Sequence, residues 1–223
     1  MQRNYSGFFV TLEGPEGSGK TSHIPRLVES LRGLGLSVFP TREPGGTDIG
    51  EQIREVIHSL KNVEMHPRTE ALLYQAARAQ IVEQQIRPRL EKGEIVISDR
   101  YFDSTIAYQG FGHMQDIDEI KSIVKFATGG LTPDLTILMD VDIETGLSRK
   151  SKQDEWNRMD AMGIEFHKRV REAYLQMAET LPRFSKIDAT ADIETVYAHL
   201  EREVVGKLMF NGFIERPNLG PER

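Results

Sequence analysis

The chain has 223 residues, 39% of them hydrophobic and 28% charged, with a formal net charge of −6 and no cysteine. That length suits one large α/β domain and the composition a water-soluble globule with a real core. The negative balance argues against a sequence-independent grip on nucleic acid, which needs clustered Lys and Arg, and the lack of cysteine fits a reducing, cytoplasmic setting without disulfides or thiolate metal sites.

Residues Met1 to Gly7 carry one Arg and no apolar core, so no secretory signal is expected there. No apolar run approaches the ~20 residues of a membrane helix. Short apolar runs alternate with longer helical patterns, the mark of βαβ units in a parallel sheet covered on both faces. Five strands are expected, at Phe8–Leu12, Leu36–Phe39, Ile95–Ser98, Leu135–Val141 and near Lys186–Ile187. Between them, Ile49, Ile53, Val56, Ile57 and Leu60, and then Leu72, Ala76, Ala79, Ile86 and Leu90, have the spacing of helices lying on a core. The sets Met159, Phe166, Val170, Ala173, Met177, Leu181 and Ile193, Val196, Leu200, Val204, Leu208 predict two more. Pro25 predicts a kink or a late start in the first helix. Residues 206–223 read as a tail after a single domain over 1–205, with Phe213 and Ile214 the residues in it that could dock.

The first strand runs straight into Gly14-Pro15-Glu16-Gly17-Ser18-Gly19-Lys20-Thr21, which matches the P-loop pattern G-x-x-x-x-G-K-[ST] with a strand before it and a helix after it. Gly14, Gly17 and Gly19 let successive backbone N–H groups turn inward around a phosphate, together with that of Ser18, and the helix N-terminus adds positive potential. Lys20 is expected at the β- and γ-phosphates of ATP and the Thr21 hydroxyl on Mg²⁺. A phosphate cradle alone does not choose between kinase, GTPase switch and motor. Asp160-Ala161-Met162-Gly163 and Ser151-Lys152-Gln153-Asp154 mimic GTPase motifs, but in reversed order and inside helical pattern, and read as accidents.

Further on stand Thr41-Arg42-Glu43-Pro44-Gly45-Gly46-Thr47, then Tyr74-Gln75-Ala76-Ala77-Arg78, then Asp99-Arg100-Tyr101, then Ser104-Thr105-Ile106-Ala107-Tyr108-Gln109-Gly110. Several of these motifs follow expected strand C-termini, where open α/β sheets place ligands, which puts Arg42, Asp99 and Arg100 near the phosphates. Tyr74 and Arg78, four apart, share a helix face. Surface ion pairing for the arginines, packing for Tyr108 and Gln109 and helix capping for Ser104 and Thr105 are the plainer alternatives. Asp140 and Asp142 suit turn and cap roles, and the six histidines show no metal spacing.

In these motifs and their order, from the first strand to about Val205, the chain resembles the thymidylate (dTMP) kinases. The resemblance implies a P-loop fold, a homodimer, and transfer of the ATP γ-phosphoryl group to dTMP with Mg²⁺, with neither nucleic acid nor membrane as partner. It gives Tyr74 the ring that stacks on thymine, Arg78 the base edge, and Arg42 and Arg100 the acceptor's 5′-phosphate. Asp99 would help hold Mg²⁺, Glu16 would contact the 3′-hydroxyl, and Tyr108 would wall off the 2′ position. Ser104, Thr105 and Gln109 fall within the substrate-binding motif. Ala77 departs from the acidic residue usual there, and Tyr74 from the commoner Phe. Some members carry an arginine in the cradle where this chain has Gly17. The basic run from Arg149 to Arg158 then matches the family's mobile lid, about residues 146–160, with Arg149 and Arg158 the first candidates for catalytic charge and Lys150 and Lys152 the next.

Overall fold

Phe8 to Glu13 are buried without a break, and they form β1 (Phe8–Glu13), the middle strand of a five-stranded sheet. A strand covered on both faces reads as a continuous apolar run and not as an alternation, which is why it stands out in the sequence. The computed structural model describes residues 5–152 and 156–215. β2 (Val38–Arg42) and β3 (Ile95–Asp99) lie on one side of β1, β4 (Leu135–Asp140) and β5 (Phe184–Asp188) on the other. The order is β2-β3-β1-β4-β5 and every pairing is parallel. Asp99 stands opposite both Leu12 and Arg42. The C-terminal ends of the first three strands are therefore level, at the edge where such sheets keep their ligands.

The helices follow in chain order. α1 (Lys20–Gly33), α2 (Asp48–His58) and α3 (Pro67–Ile81) come first, and α3 continues through a π-helical turn at Val82–Ile86 into α4 (Arg87–Glu91). α5 (Phe102–Thr105) runs into a second π-helical segment, Ile106–Gly112, ahead of α6 (Ile117–Thr128). α7 (Ile143–Lys150), α8 (Ile164–Thr180) and α9 (Ile193–Phe210) complete the set. Thr47, Asp116, Asp142 and Asp192 accept backbone N–H bonds at the starts of α2, α6, α7 and α9, which fixes where those helices begin.

On one face of the sheet, Leu27 and Leu31 of α1 and Leu200, Val204 and Leu208 of α9 pack with Val10, Ile97 and Ile137. Phe213 joins this cluster edge-on to Phe8, so that part of the tail docks, while residues 216–223 lie outside the described residues. On the other face α3, α4 and α8 enclose two further clusters. Among the described residues no helix is long and apolar enough to cross a membrane.

Several expectations need correction. α1 begins at Lys20 and continues through Pro25, with no late start. Of the apolar set on α2, only Ile57 is buried; Ile49 and Val56 are exposed, as is Leu60 just beyond it. In α3 Leu72 and Ala76 face outward, and the inner face is Ala71, Gln75 and Arg78. Both helices border the polar site, where Arg54 and His58 of α2 and Tyr74 of α3 face the cavity, and part of their apolar side is left outside. α6 escaped the reading altogether. Of the two GTPase-like tetrapeptides, the one at Asp160 lies in a turn and not in helix, as do Ser151 and Lys152 of the other, while Gln153 and Asp154 lie outside the described residues.

Candidate active site

Strand β1 ends at Glu13 and the chain turns at once into α1, so the loop's amides gather at a helix N-terminus, where anions are favoured. Lys20 opens α1 and is buried. Its Nζ donates to Gly14 O and Pro15 O, each at 3.1 Å, and to Ser18 Oγ at 2.8 Å. Burial pushes this ammonium down, helped by the Arg100 charge and opposed by Asp99 and Glu16, to about 8. Gly17 has φ +69° and touches α7: a Cβ there would lie 2.0 Å from Gly146 O. The two backbones meet without side chains between them.

One residue further, Thr21 donates its hydroxyl to Asp99 Oδ2 at 2.8 Å. This joins the first turn of α1 to the end of β3. Both groups are hard oxygen donors of the kind Mg²⁺ takes when phosphates supply the rest of its shell. Among the described residues no group of three or more His, Asp or Glu side chains could hold a metal ion by itself.

Arg100 is the centre of the site. It follows β3 with φ 68°, a left-handed conformation that a non-glycine residue adopts only when its surroundings hold it. They do hold it. Nη1 donates to Gly14 O (3.0 Å), Ser104 Oγ (3.2 Å) and Tyr174 Oη (3.3 Å), and Nη2 to Glu16 Oε1 (2.8 Å) and Tyr108 Oη (3.1 Å). Tyr108 also donates to Glu16 Oε1 at 2.9 Å. Burial would raise the Glu16 carboxyl, but Arg100 and Lys20 overcome it and hold it at about 2. Beneath them Glu13, fully buried, accepts from Tyr101 N, Ser104 Oγ and Tyr174 Oη.

Arg42 reaches Glu51 at 3.0 Å from an exposed position at the rim. Tyr74 lines the cavity together with Ser104, Tyr108 and Gln109. Arg78 and Thr105 do not. Arg78 is only 1% exposed and is bound by Glu43 (2.7 Å), Gln75 (2.9 Å), Thr105 Oγ1 (2.8 Å) and Tyr101 O (3.1 Å). These bonds use four of the five N–H groups of the guanidinium.

The basic run divides in a way its sequence does not announce. Arg149 turns toward the loop after β5 and donates to Ala189 O (2.8 Å) and Thr190 O (3.3 Å). Arg158 is buried, its Nε donating to Ile57 O at 3.0 Å and its Nη2 lying 2.5 Å from Glu70 Oε2. Lys150 lines the cavity, 4.0 Å from Asp160. Lys152 is exposed.

The cavity has a volume of ≈ 200 Å³, with Lys20 and Thr21 on its walls as well as Arg42, Arg100, Tyr74 and Gln109. Arg54 and His58 of α2 and Asn157 and Met159 also line it, and no motif marks them as site residues. Burial and the Arg54 charge bring His58 down to about 4, so it faces the cavity uncharged near neutral pH. Glu13 carried a signal that went unused, a carboxylate at the last position of a buried strand directly before the cradle. Tyr174, midway along an amphipathic helix, carried none.

The family model for thymidylate kinase matches residues 12–200. The chain is 44% identical over 208 residues to the thymidylate kinase of Exiguobacterium sp., which covers 93% of this chain and 98% of the relative. It is 48% identical over 194 residues to that of Oenococcus oeni, covering 85% and 91%. The crystal structure of thymidylate kinase from Ehrlichia chaffeensis superposes with a TM-score of 0.73 at 31% identity, over 90% of this chain and 99% of that one.

Proposed function

Because the chain belongs to the thymidylate kinase family, we infer that it phosphorylates dTMP to dTDP with ATP as the phosphate donor. The observation that carries this reading is the single cavity in which the Lys20–Thr21 cradle and the Tyr74–Gln109 wall face the same space across Arg100. An oxygen of the dTMP phosphate attacks the γ-phosphorus, the bond to the bridging oxygen breaks, and ADP leaves. The acceptor is already an oxyanion, so the protein's task is alignment and the neutralisation of two polyanions.

Lys20 and the loop amides hold the ATP phosphates, and Arg42 and Arg100 hold the 5′-phosphate, where a planar fork suits phosphate oxygens. Tyr74 stacks on the base. Glu16 and Tyr108, already bonded to one another, meet the sugar at its 3′ and 2′ positions. Thr21 and Asp99 are the groups that would hold Mg²⁺, which when bound neutralises phosphate charge. Residues 146–160 act as the lid of a single domain over 1–205, and closure excludes water.

The active species is a homodimer. α2 packs on α3 and α3 on α6, and together they leave Ile49, Val56, Leu72 and Phe126 exposed, an apolar surface that a second copy would cover. We propose the cytoplasm, with its ATP, as the compartment of the reaction.

The test is a coupled ADP-release assay over a panel of nucleoside monophosphates. ADP release should depend on dTMP, with dTMP preferred to dUMP by roughly 10–200-fold, the value of one methyl group in an apolar pocket. Equal kcat/KM for dGMP and dTMP would refute the thymine pocket, and ATP binding without acceptor-dependent turnover would refute the kinase.

A further inference from the structure

Glu70, in the first turn of α3, is a fully buried carboxylate on which distant parts of the chain converge. Its Oε1 accepts from Gln109 Nε2 at 2.7 Å and pairs with His113 Nε2 at 3.0 Å. Arg158 of the lid lies 2.5 Å from its Oε2. Burial alone would raise this carboxyl, but the His113 and Gln109 hydrogen bonds and the Arg158 charge bring it below its ordinary value, so it stays ionised. An ionised carboxylate only accepts. The Gln109 amide must therefore turn its NH₂ toward Glu70, and its Oε1 is left for something else.

That orientation matters because Gln109 lines the cavity along with Tyr74. A free carboxamide can offer either a donor or an acceptor, and here the choice has been made. In a thymine nucleotide N1 carries the sugar and both exocyclic groups are carbonyls, so the base has one N–H to give, at N3. We propose that Glu70 is a positioning residue for base selection: by holding the Gln109 amide with its oxygen toward the cavity, it makes the site take pyrimidines that carry hydrogen on N3 and turn away cytosine. The bare N3 lone pair of cytosine would meet the same oxygen, two acceptors with no hydrogen between them. Arg158, whose backbone N–H also donates to His58 O at 3.3 Å, seats the lid on this carboxylate, so lid and base wall share an anchor.

The proposal rests on dTMP being the acceptor, and the experiment separates the two. The full chain is assayed with dTMP and with dCMP, as wild type, Glu70→Gln and Gln109→Met, with thermal unfolding measured for each. Glu70→Gln keeps the size but can both donate and accept, which frees the Gln109 amide to turn over. Gln109→Met has no amide to orient and leaves Glu70 with His113 and Arg158, so it decides the matter if Glu70→Gln does not fold. The ratio of kcat/KM for dTMP to that for dCMP should fall at least about tenfold in each folded variant. A wild-type ratio in either folded variant overturns the proposal, even if overall activity drops. Failure of the wild type to use dTMP overturns the underlying reading instead.

Discussion

Thr21 and Asp99 are joined by a 2.8 Å hydrogen bond from hydroxyl to carboxylate, although 78 residues separate them in the chain. The bond pins the start of α1 to the end of β3 and puts two hard oxygens side by side. Asp99→Asn keeps the shape and removes the charge. The half-saturating Mg²⁺ concentration should rise about 10- to 100-fold, the usual cost of losing a supporting carboxylate, while dTMP affinity barely moves. A magnesium titration at fixed ATP reads this directly, and an unchanged midpoint would remove Asp99 from the metal's surroundings.

Lys20 is expected to give the site its pH limit. With the ammonium held at about 8 by burial and Arg100, the free enzyme loses this proton as pH rises through that value, whereas bound phosphates favour the charged form. Binding must then take up a proton, so ATP affinity should weaken above about pH 8 by up to about tenfold per pH unit. Equilibrium ATP binding from pH 6 to 10 checks the sign. Lys20→Ala should abolish turnover without unfolding the protein and should flatten that profile, and a profile unaltered in the variant would assign the titration to another group.

The lid cations should separate by role. Lys150 is the one of them that lines the cavity, and Lys150→Ala should lower kcat at least about 100-fold with dTMP binding nearly unchanged, the signature of charge needed only in the transition state. Arg158→Ala should instead lower the unfolding temperature, because it strips Glu70 of its counter-charge in a buried place, a loss of about 3–5 kcal/mol when such a pair is broken. Arg149→Ala should spare kcat and dTMP binding, since its guanidinium is held on the Ala189 and Thr190 carbonyls and does not line the cavity. Steady-state kinetics and thermal melts on the three variants make the distinction, and a normal kcat for Lys150→Ala would pass the catalytic charge to Arg42 or Arg100.

For the outer apolar surface of α2 and α3, Val56→Glu and Leu72→Glu should yield a smaller species in size-exclusion chromatography with light scattering. Both side chains are exposed in the single chain, so neither change disturbs its core. An unaltered mass for both variants would place the contact between copies elsewhere.

The three central strands and the cradle were legible because continuous apolar runs and a fixed glycine spacing mean the same thing in nearly any context, whereas the edge strand β2, expected at Leu36–Phe39, lies at Val38–Arg42 and is only partly buried. The facing of α2 and α3 was not legible. Periodicity finds the apolar side of a helix but cannot say whether that side meets the sheet, and here Arg78 and Glu70 point inward while Leu72 points out. The fate of Arg149, Lys150 and Arg158 was hidden for a related reason. Cations so close together look alike in sequence, and what separates these three is which carbonyls and carboxylates lie within reach once β5, α2 and α3 have assembled around them.

The bare contact between Gly17 and Gly146 carries a consequence for exchange among relatives. A Cβ on Gly17 would lie 2.0 Å from Gly146 O, and one on Gly146 2.3 Å from Glu16 O, so neither position admits a side chain while the other segment stays where it is. An arginine transplanted into the cradle would have to push α7 aside, and α7 is the stem from which the lid extends. A side chain at Gly17 and α7 in its present place are thus mutually exclusive by geometry in this backbone. Moving from one to the other would take coordinated changes in both segments, and a lineage making the first change alone would pass through a protein with a displaced lid.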